Sequence, residues 1–120
     1  MPPRKNVVSI HPWFRIHPGK LAEFKKLLPQ FIETTSTESG CLFYDFTFNG
    51  DVMHCREAYV GAEAALAHIQ SVGALIGEAL KLSDIERLEV HGSDTELAKM
   101  KGPLKDLPVA WFVLELALEK

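Results

Sequence analysis

Three residues able to move a proton or hold a hydroxyl stand among apolar neighbours in this chain: His68, Glu57 and Tyr44. His68 comes three positions after Ala65 and one before Ile69, so in a helix its ring lies at the edge of the apolar stripe and can point beneath it. An imidazole with an ordinary pKa near 6.5 accepts a proton from a hydroxyl at neutral pH, the work of a general base. The plainer reading is a packed helix histidine bonded to a neighbour. Glu57 alternates with Cys55 and Tyr59 along one extended stretch, and Tyr44 falls on the same face of the preceding one. A carboxylate among apolar side chains must find donors or stay protonated, because burying it unpaired costs several kcal/mol. Glu57 could therefore orient His68 or a ligand hydroxyl, or close a salt bridge. Tyr44 could donate to a ligand oxygen, or simply rest its ring in a core.

Trp13, Tyr59 and Trp111 are candidates for the walls of an aromatic-binding cavity, although tryptophans in the strands of a small domain also serve as core or interface residues. Asp45, His54 and Arg56 fall on the opposite strand face and read as a cross-strand polar network at an interface. A metal site is not expected. His11, His17, His54, His68 and His91 never occur at i, i+4 spacing, and there is no Cys-x-x-Cys. Gly-rich nucleotide loops, phosphate-binding Gly-Lys-Ser or Gly-Lys-Thr and a nucleophile elbow are absent too, so no cofactor is expected.

The elements that must position these groups follow from periodicity. Val8, Ile10, Phe14 and Ile16 alternate as a strand, with Pro12 requiring a bulge or a place where no ladder N–H is needed. Leu21, Phe24, Leu27, Leu28, Phe31 and Ile32 recur at three and four, predicting an amphipathic helix that opens after Pro18-Gly19-Lys20, kinks at Pro29 and stops at Gly40. Residues 41–49 and 52–60 predict a hairpin turned by Asn49-Gly50, in which Phe48 faces Asp51, Tyr44 faces Cys55, Asp45 faces His54 and Cys41 faces Ala58. From Gly61 to about Leu82 a helix is predicted that Gly73 and Gly77 could split. A strand follows at Ile85–His91. Ser93-Asp94-Thr95-Glu96 is a capping box opening a short helix to Lys101, closed by Gly102 in a left-handed cap before Pro103. Pro108–Leu118 reads as a last strand.

The 120 residues, 47% apolar and 24% charged, suffice for a single domain (1–120), with a core at 7–91 and an appended helix and strand at 93–118. A net charge of -3 with scattered cations argues against nucleic acid, and no apolar run approaches the roughly 20 residues of a membrane span. Cys41 and Cys55 do not face one another in the predicted hairpin, so free thiols and a cytoplasmic location are expected. The strand–helix–strand–strand–helix–strand order is that of the α+β, ferredoxin-like split βαβ sheet with its helices on one face. Apolar residues on both hairpin faces then require a second cover, so a homodimer through the sheet face is expected.

At His17-Pro18-Gly19-Lys20, Glu38-Ser39-Gly40-Cys41 leading to Tyr44, Glu57 followed by Tyr59, and Ala67-His68 with Ser71, the chain resembles the antibiotic biosynthesis monooxygenase-like family of dimeric α+β barrels. The resemblance implies a ligand cavity between sheet and helices in each subunit. It also implies a cofactor-independent oxygenase of a small electron-rich aromatic, phenol or quinol, with His68 as base and Glu57 and Tyr44 as orienting groups. A non-catalytic dimeric barrel that binds a small apolar molecule or serves a stress response is the alternative. The haem-degrading branch is not implied, since its asparagine is replaced by Pro12-Trp13, its tryptophan by His68 and its histidine by Glu78-Ala79.

Overall fold

A computed structural model describes residues 4–119. After a 3-10 turn at Arg4–Asn6, the elements are β1 (Val8–Ile16), α1 (Leu21–Thr35), β2 (Cys41–Asn49), β3 (Val52–Tyr59), α2 (Ala62–Ser71), α3 (Gly73–Leu80), β4 (Ser83–Gly92), α4 (Asp94–Lys101) and β5 (Ala110–Val113). The strands form one sheet in the order β2-β3-β1-β4-β5, antiparallel except for the parallel β4–β5 edge. The first four strands make the ferredoxin-like arrangement expected, and β5 extends it.

Strict alternation in β1 sets the two faces. Val8, Ile10, Pro12, Phe14 and Ile16 are buried toward the helices, while Ser9, His11, Trp13 and Arg15 look outward. Pro12 is tolerated because the ladder to β3 skips it, resuming at Trp13↔His54, and the ladder to β4 shifts register just after Trp13. Its carbonyl accepts from the His54 ring at 2.9 Å.

The helix-side core divides in two. Val8, Tyr59, Ala62, Ala65, Leu97 and Met100 pack near α2 and α4, whereas Phe14, Phe24, Phe31, Met53, Val72 and Ala79 pack near α1 and α3. The predicted long helix does break, at Val72, between α2 and α3.

Several local expectations need correction. The hairpin loop is Gly50-Asp51, with only Gly50 at positive φ (61°), so Asn49 pairs with Val52 and Tyr44 faces Glu57 rather than Cys55. That is a type II′ pattern, which needs one left-handed residue where the expected type I′ turn needs two. Asp45 accordingly faces Arg56, not His54. A bulge between Cys41 and Phe43 pairs Cys41 with Tyr59 and turns it to the helix side instead of the outer face.

Helix α1 ends at Thr35, before Gly40, because Ser36 caps it: its N–H reaches the Ile32 carbonyl and its hydroxyl the Glu33 carbonyl. Gly40 has another duty. A Cβ there would lie 2.6 Å from the Ala64 Cβ, so only glycine lets the loop 37–40 lie against α2. Ser93 caps α4 as expected, accepting from Glu96 N at 3.2 Å. Glu96 does not reach back, however; its Oε1 accepts from Ala62 N at 2.9 Å and caps α2. Gly102 is right-handed (φ −64°), not left-handed, since the chain continues in turns to Leu107. The last strand is only four residues long, and beyond it Leu116 and Leu118 are exposed. No helix among the described residues is long and apolar enough to cross a membrane.

Candidate functional site

His68, Glu57 and Tyr44 come together where the two halves of the core meet. β3 turns Glu57 inward beside Cys55 and Tyr59, β2 brings Tyr44 directly across from Glu57, and α2 lowers His68 onto them. The imidazole is almost fully enclosed, at 2% exposure. Its Nδ1 faces the Glu38 carboxylate, 2.9 Å from Oε1 and 3.2 Å from Oε2, and its Nε2 lies 3.6 Å from Glu57 Oε1. Tyr44 approaches the ring edge-on with centroids 4.8 Å apart, and Tyr59 lies 5.0 Å away.

The surrounding partners fix the protonation pattern. The Glu38 carboxylate can only accept, so the neutral ring carries its hydrogen on Nδ1 and keeps the Nε2 lone pair for the interior. The Ser71 hydroxyl donates to Glu38 Oε2 at 2.7 Å, holding the carboxylate in place. The Tyr59 hydroxyl donates to Glu57 Oε1 at 2.6 Å.

Burial dominates the electrostatics. It pushes the Glu57 carboxyl up to about 7, against the stabilising hydrogen bonds from Tyr59 and Cys55 and with the Glu38 charge adding to the rise. Burial also lowers His68, with Glu38 pulling the other way. The Tyr44 and Cys55 groups are both raised by burial and then by the Glu57 charge, so neither ionises near neutrality. A carboxyl poised near 7 and an imidazole held neutral, 3.6 Å apart, make a proton donor and acceptor side by side.

These groups close one end of a cavity of about 160 Å³ whose other walls are apolar, among them Phe14, Phe24, Leu28, Phe46, Met53 and Ile76. Only Leu80 (42% exposed) and Leu107 (45%) among its lining residues are open to solvent, which places its mouth at the end of α3 and the segment after α4. An engineered apolar cavity of about 150 Å³ holds benzene, so this one matches a single ring.

The other expected wall residues are elsewhere. Trp13 is on the outer face, stacked on His54 at 4.1 Å, because its odd position in β1 points away from the helices. Trp111 packs beside the α4 end of the core, with the Lys101 ammonium 5.8 Å from its ring. Tyr59 backs Glu57 and does not line the cavity. The Asp45–Arg56 pair is an exposed ion pair at 3.1 Å, weak by its exposure. Among the described residues no group of three or more His, Cys, Asp or Glu is placed to hold a metal ion. Glu38 and Ser71, in contrast, were visible in the sequence only as part of the family pattern. Periodicity could not assign them, since the partner of a helix histidine comes from a loop thirty positions earlier.

The raised Glu57 carboxyl has a thermodynamic signature. A native pKa of about 7 against an unfolded value near 4.5 means that the folded state binds more protons across that window, so stability falls as pH rises through it. Glu57→Gln should remove this loss. The urea-unfolding free energy of the variant relative to wild type is expected to climb between about pH 4.5 and 7 by on the order of 3 kcal/mol and then level off. A difference that stays flat with pH would contradict the buried carboxyl. His68 has the opposite slope, losing stability as pH falls below its unfolded value, and largely cancels in the comparison.

Comparison with known proteins places this geometry. The family described as antibiotic biosynthesis monooxygenase matches residues 8–74. The crystal structure of MupZ from Pseudomonas fluorescens is 41% identical over 96% of this chain and 95% of that one, with a TM-score of 0.91. A conserved protein from Methanosarcina mazei Go1 is 19% identical, covering 74% of this chain and 94% of that one, with a TM-score of 0.69. SnoaB from Streptomyces nogalater, a cofactor-independent oxygenase whose crystal structure is that of a point mutant, shares the fold at 13% identity and a TM-score of 0.64, over 74% of this chain and 94% of that one. No protein of curated function matches the chain. The matched segment runs from β1 through α2 and carries Glu38, Tyr44, Glu57 and His68; the chain belongs to the antibiotic biosynthesis monooxygenase family.

Proposed function

We propose that the chain is a cofactor-independent monooxygenase acting on a small electron-rich aromatic, of phenol or quinol type, held in the cavity between sheet and helices. The observation that carries this reading is a neutral imidazole aimed into an apolar cavity of single-ring size, in a family that includes cofactor-independent oxygenases. His68 Nε2 takes the proton of the ligand hydroxyl. The resulting anion is the electron-rich species that can reduce O₂, and the dry walls keep water from competing for it. Glu57 and Tyr44 orient the ligand oxygen. Tyr44 suits this role because it lines the cavity with its ring against His68.

One observation favours a second reading. Glu57 and His68 already form an adjacent donor and acceptor, which would equally move a proton from one atom of a bound molecule to another without consuming oxygen. Oxygen uptake separates the two. With a panel of hydroquinones and anthrones, the wild type is expected to consume oxygen, single rings faster than three-ring compounds, and His68→Ala to be slower by about 10²-fold or more. Equal rates in the two proteins would remove His68 as the base. Binding of the panel, read as a thermal shift, without any uptake would favour the second reading or plain binding.

A second copy of the chain is the proposed cover for the outer sheet face. There the Trp13, His54, His11, His91 and Phe112 rings run across four strands, and Phe43 and Val113 are about half exposed. Cys41 and Cys55 are free thiols, as suits a reducing cytoplasm. Light scattering at micromolar concentration should return twice the 13.4 kDa chain mass; a single-chain mass would contradict the dimer.

A further inference from the structure

A second hollow reaches Glu38, the partner of His68. On the far side of Glu38 an open groove of about 680 Å³ runs between the loop 37–40, the start of α2 and α4, with Thr37, Glu38, Ser39, Ala64 and Lys99 among its lining residues. The groove and the cavity share no lining residue. They are joined only through side chains: Glu38 lines the groove, Glu57 lines the cavity, and His68 bridges them, 2.9 Å from the first and 3.6 Å from the second.

The charged groups of the groove are otherwise engaged. Lys99 pairs with Glu96 at 2.9 Å and Glu63 at 3.3 Å, and Glu96 also caps α2. Glu38 is left with His68 and Ser71, its side chain 18% exposed. The groups facing the imidazole are Glu38 from the loop, Glu57 and Tyr59 from β3 and Tyr44 from β2, with Cys41 beside the groove. Of these, only Glu38 contacts both the ring and the groove.

From this arrangement we infer that Glu38 is a proton-relay residue, so that substrate and proton use separate doors: the substrate passes the apolar mouth at Leu80 and Leu107, and the proton passes through His68 and Glu38 to groove water. The step balances without any change of oxidation state. A proton arriving at Nε2 from the ligand hydroxyl lets the ring release its Nδ1 proton to a Glu38 oxygen, which yields it to water and leaves the Nε2–H tautomer. The reverse hop, water to Glu38 to Nδ1 with Nε2 returning its proton to the cavity, restores the starting form. Separate doors let the base lend a proton to groove water and take one back while the apolar cavity itself stays closed to water. Ser71, fixing Glu38 Oε2, is a positioning residue for the relay.

The relay rests on His68 being the base, but it can be measured in the ligand-free protein, so it fails or survives apart from the oxygenase reading. In full-length protein with ¹⁵N-labelled histidine, exchange of the His68 ring proton with water is followed by NMR. Glu38→Gln keeps an acceptor for Nδ1–H but cannot carry a proton, and should slow exchange by about tenfold or more. In Glu38→Ala, acetate or formate entering the open groove should restore the rate in proportion to its concentration at fixed ionic strength. Ser71→Ala, which leaves the carboxylate present, provides a milder variant if Glu38 proves necessary for folding, and its exchange should be slowed less. Unchanged exchange in Glu38→Gln, or slow exchange in Glu38→Ala that no carboxylate restores, would overturn the relay and leave Glu38 a structural anchor.

Discussion

Desolvation of one carboxyl group is the constraint on which the site depends. Glu57 lies on the inward face of the second hairpin strand, where alternation would ordinarily place a residue such as the neighbouring Cys55 or Tyr59. Burial there costs several kcal/mol for an unpaired charge, and the fold offsets this with a tyrosine hydroxyl and a thiol from its own strand and an imidazole from the helix above. The same enclosure that makes the group costly makes it chemically useful, because it brings a carboxyl group to titrate beside a histidine near neutral pH.

The rest of the architecture holds that arrangement. The hairpin register sets Tyr44 across from Glu57, the bulge at the start of β2 turns Cys41 inward, and a glycine without room for a side chain seats the loop bearing Glu38 against α2. Glu96 reaches from α4 to cap the first turn of α2, fixing the helix that carries His68. The cavity itself is the space left where the two halves of the core meet, with the break at Val72 on its wall. A continuous helix would follow one straight axis over both halves, whereas α2 and α3 cover them separately.

Much of this was legible in the residues. Period-two patterns located β1 and the hairpin, three-and-four spacing located α1 and the divided second helix, and the resulting succession of strands and helices already gave the ferredoxin-like order. His68, Glu57 and Tyr44 could be grouped because parity within a strand and phase within a helix survive small errors of register. A turn shifted by one residue moved Tyr44 from opposite Cys55 to opposite Glu57 without moving it to the other face. Trp13 illustrates the limit: its type suggested a ligand wall, but its parity in β1 sends it outward to stack on His54. Glu38 was legible only within the family pattern, and its role was not, for a different reason. It sits in a loop with no periodicity, and its role depends on a contact thirty residues away in sequence that only the packed chain creates.

At the heart of the site the Glu57 carboxyl is held neutral up to about pH 7 beside a neutral His68. Titrating the Glu57 side-chain carboxyl by ¹³C NMR in the intact protein, while following the His68 ring nitrogens in the same samples, tests this without intermediaries. A Glu57 midpoint near 7 is expected, together with a His68 ring whose midpoint lies below the ordinary imidazole value and whose neutral form carries its hydrogen on Nδ1. A Glu57 midpoint near the ordinary 4.5, with His68 already charged at neutral pH, would be incompatible with the site described.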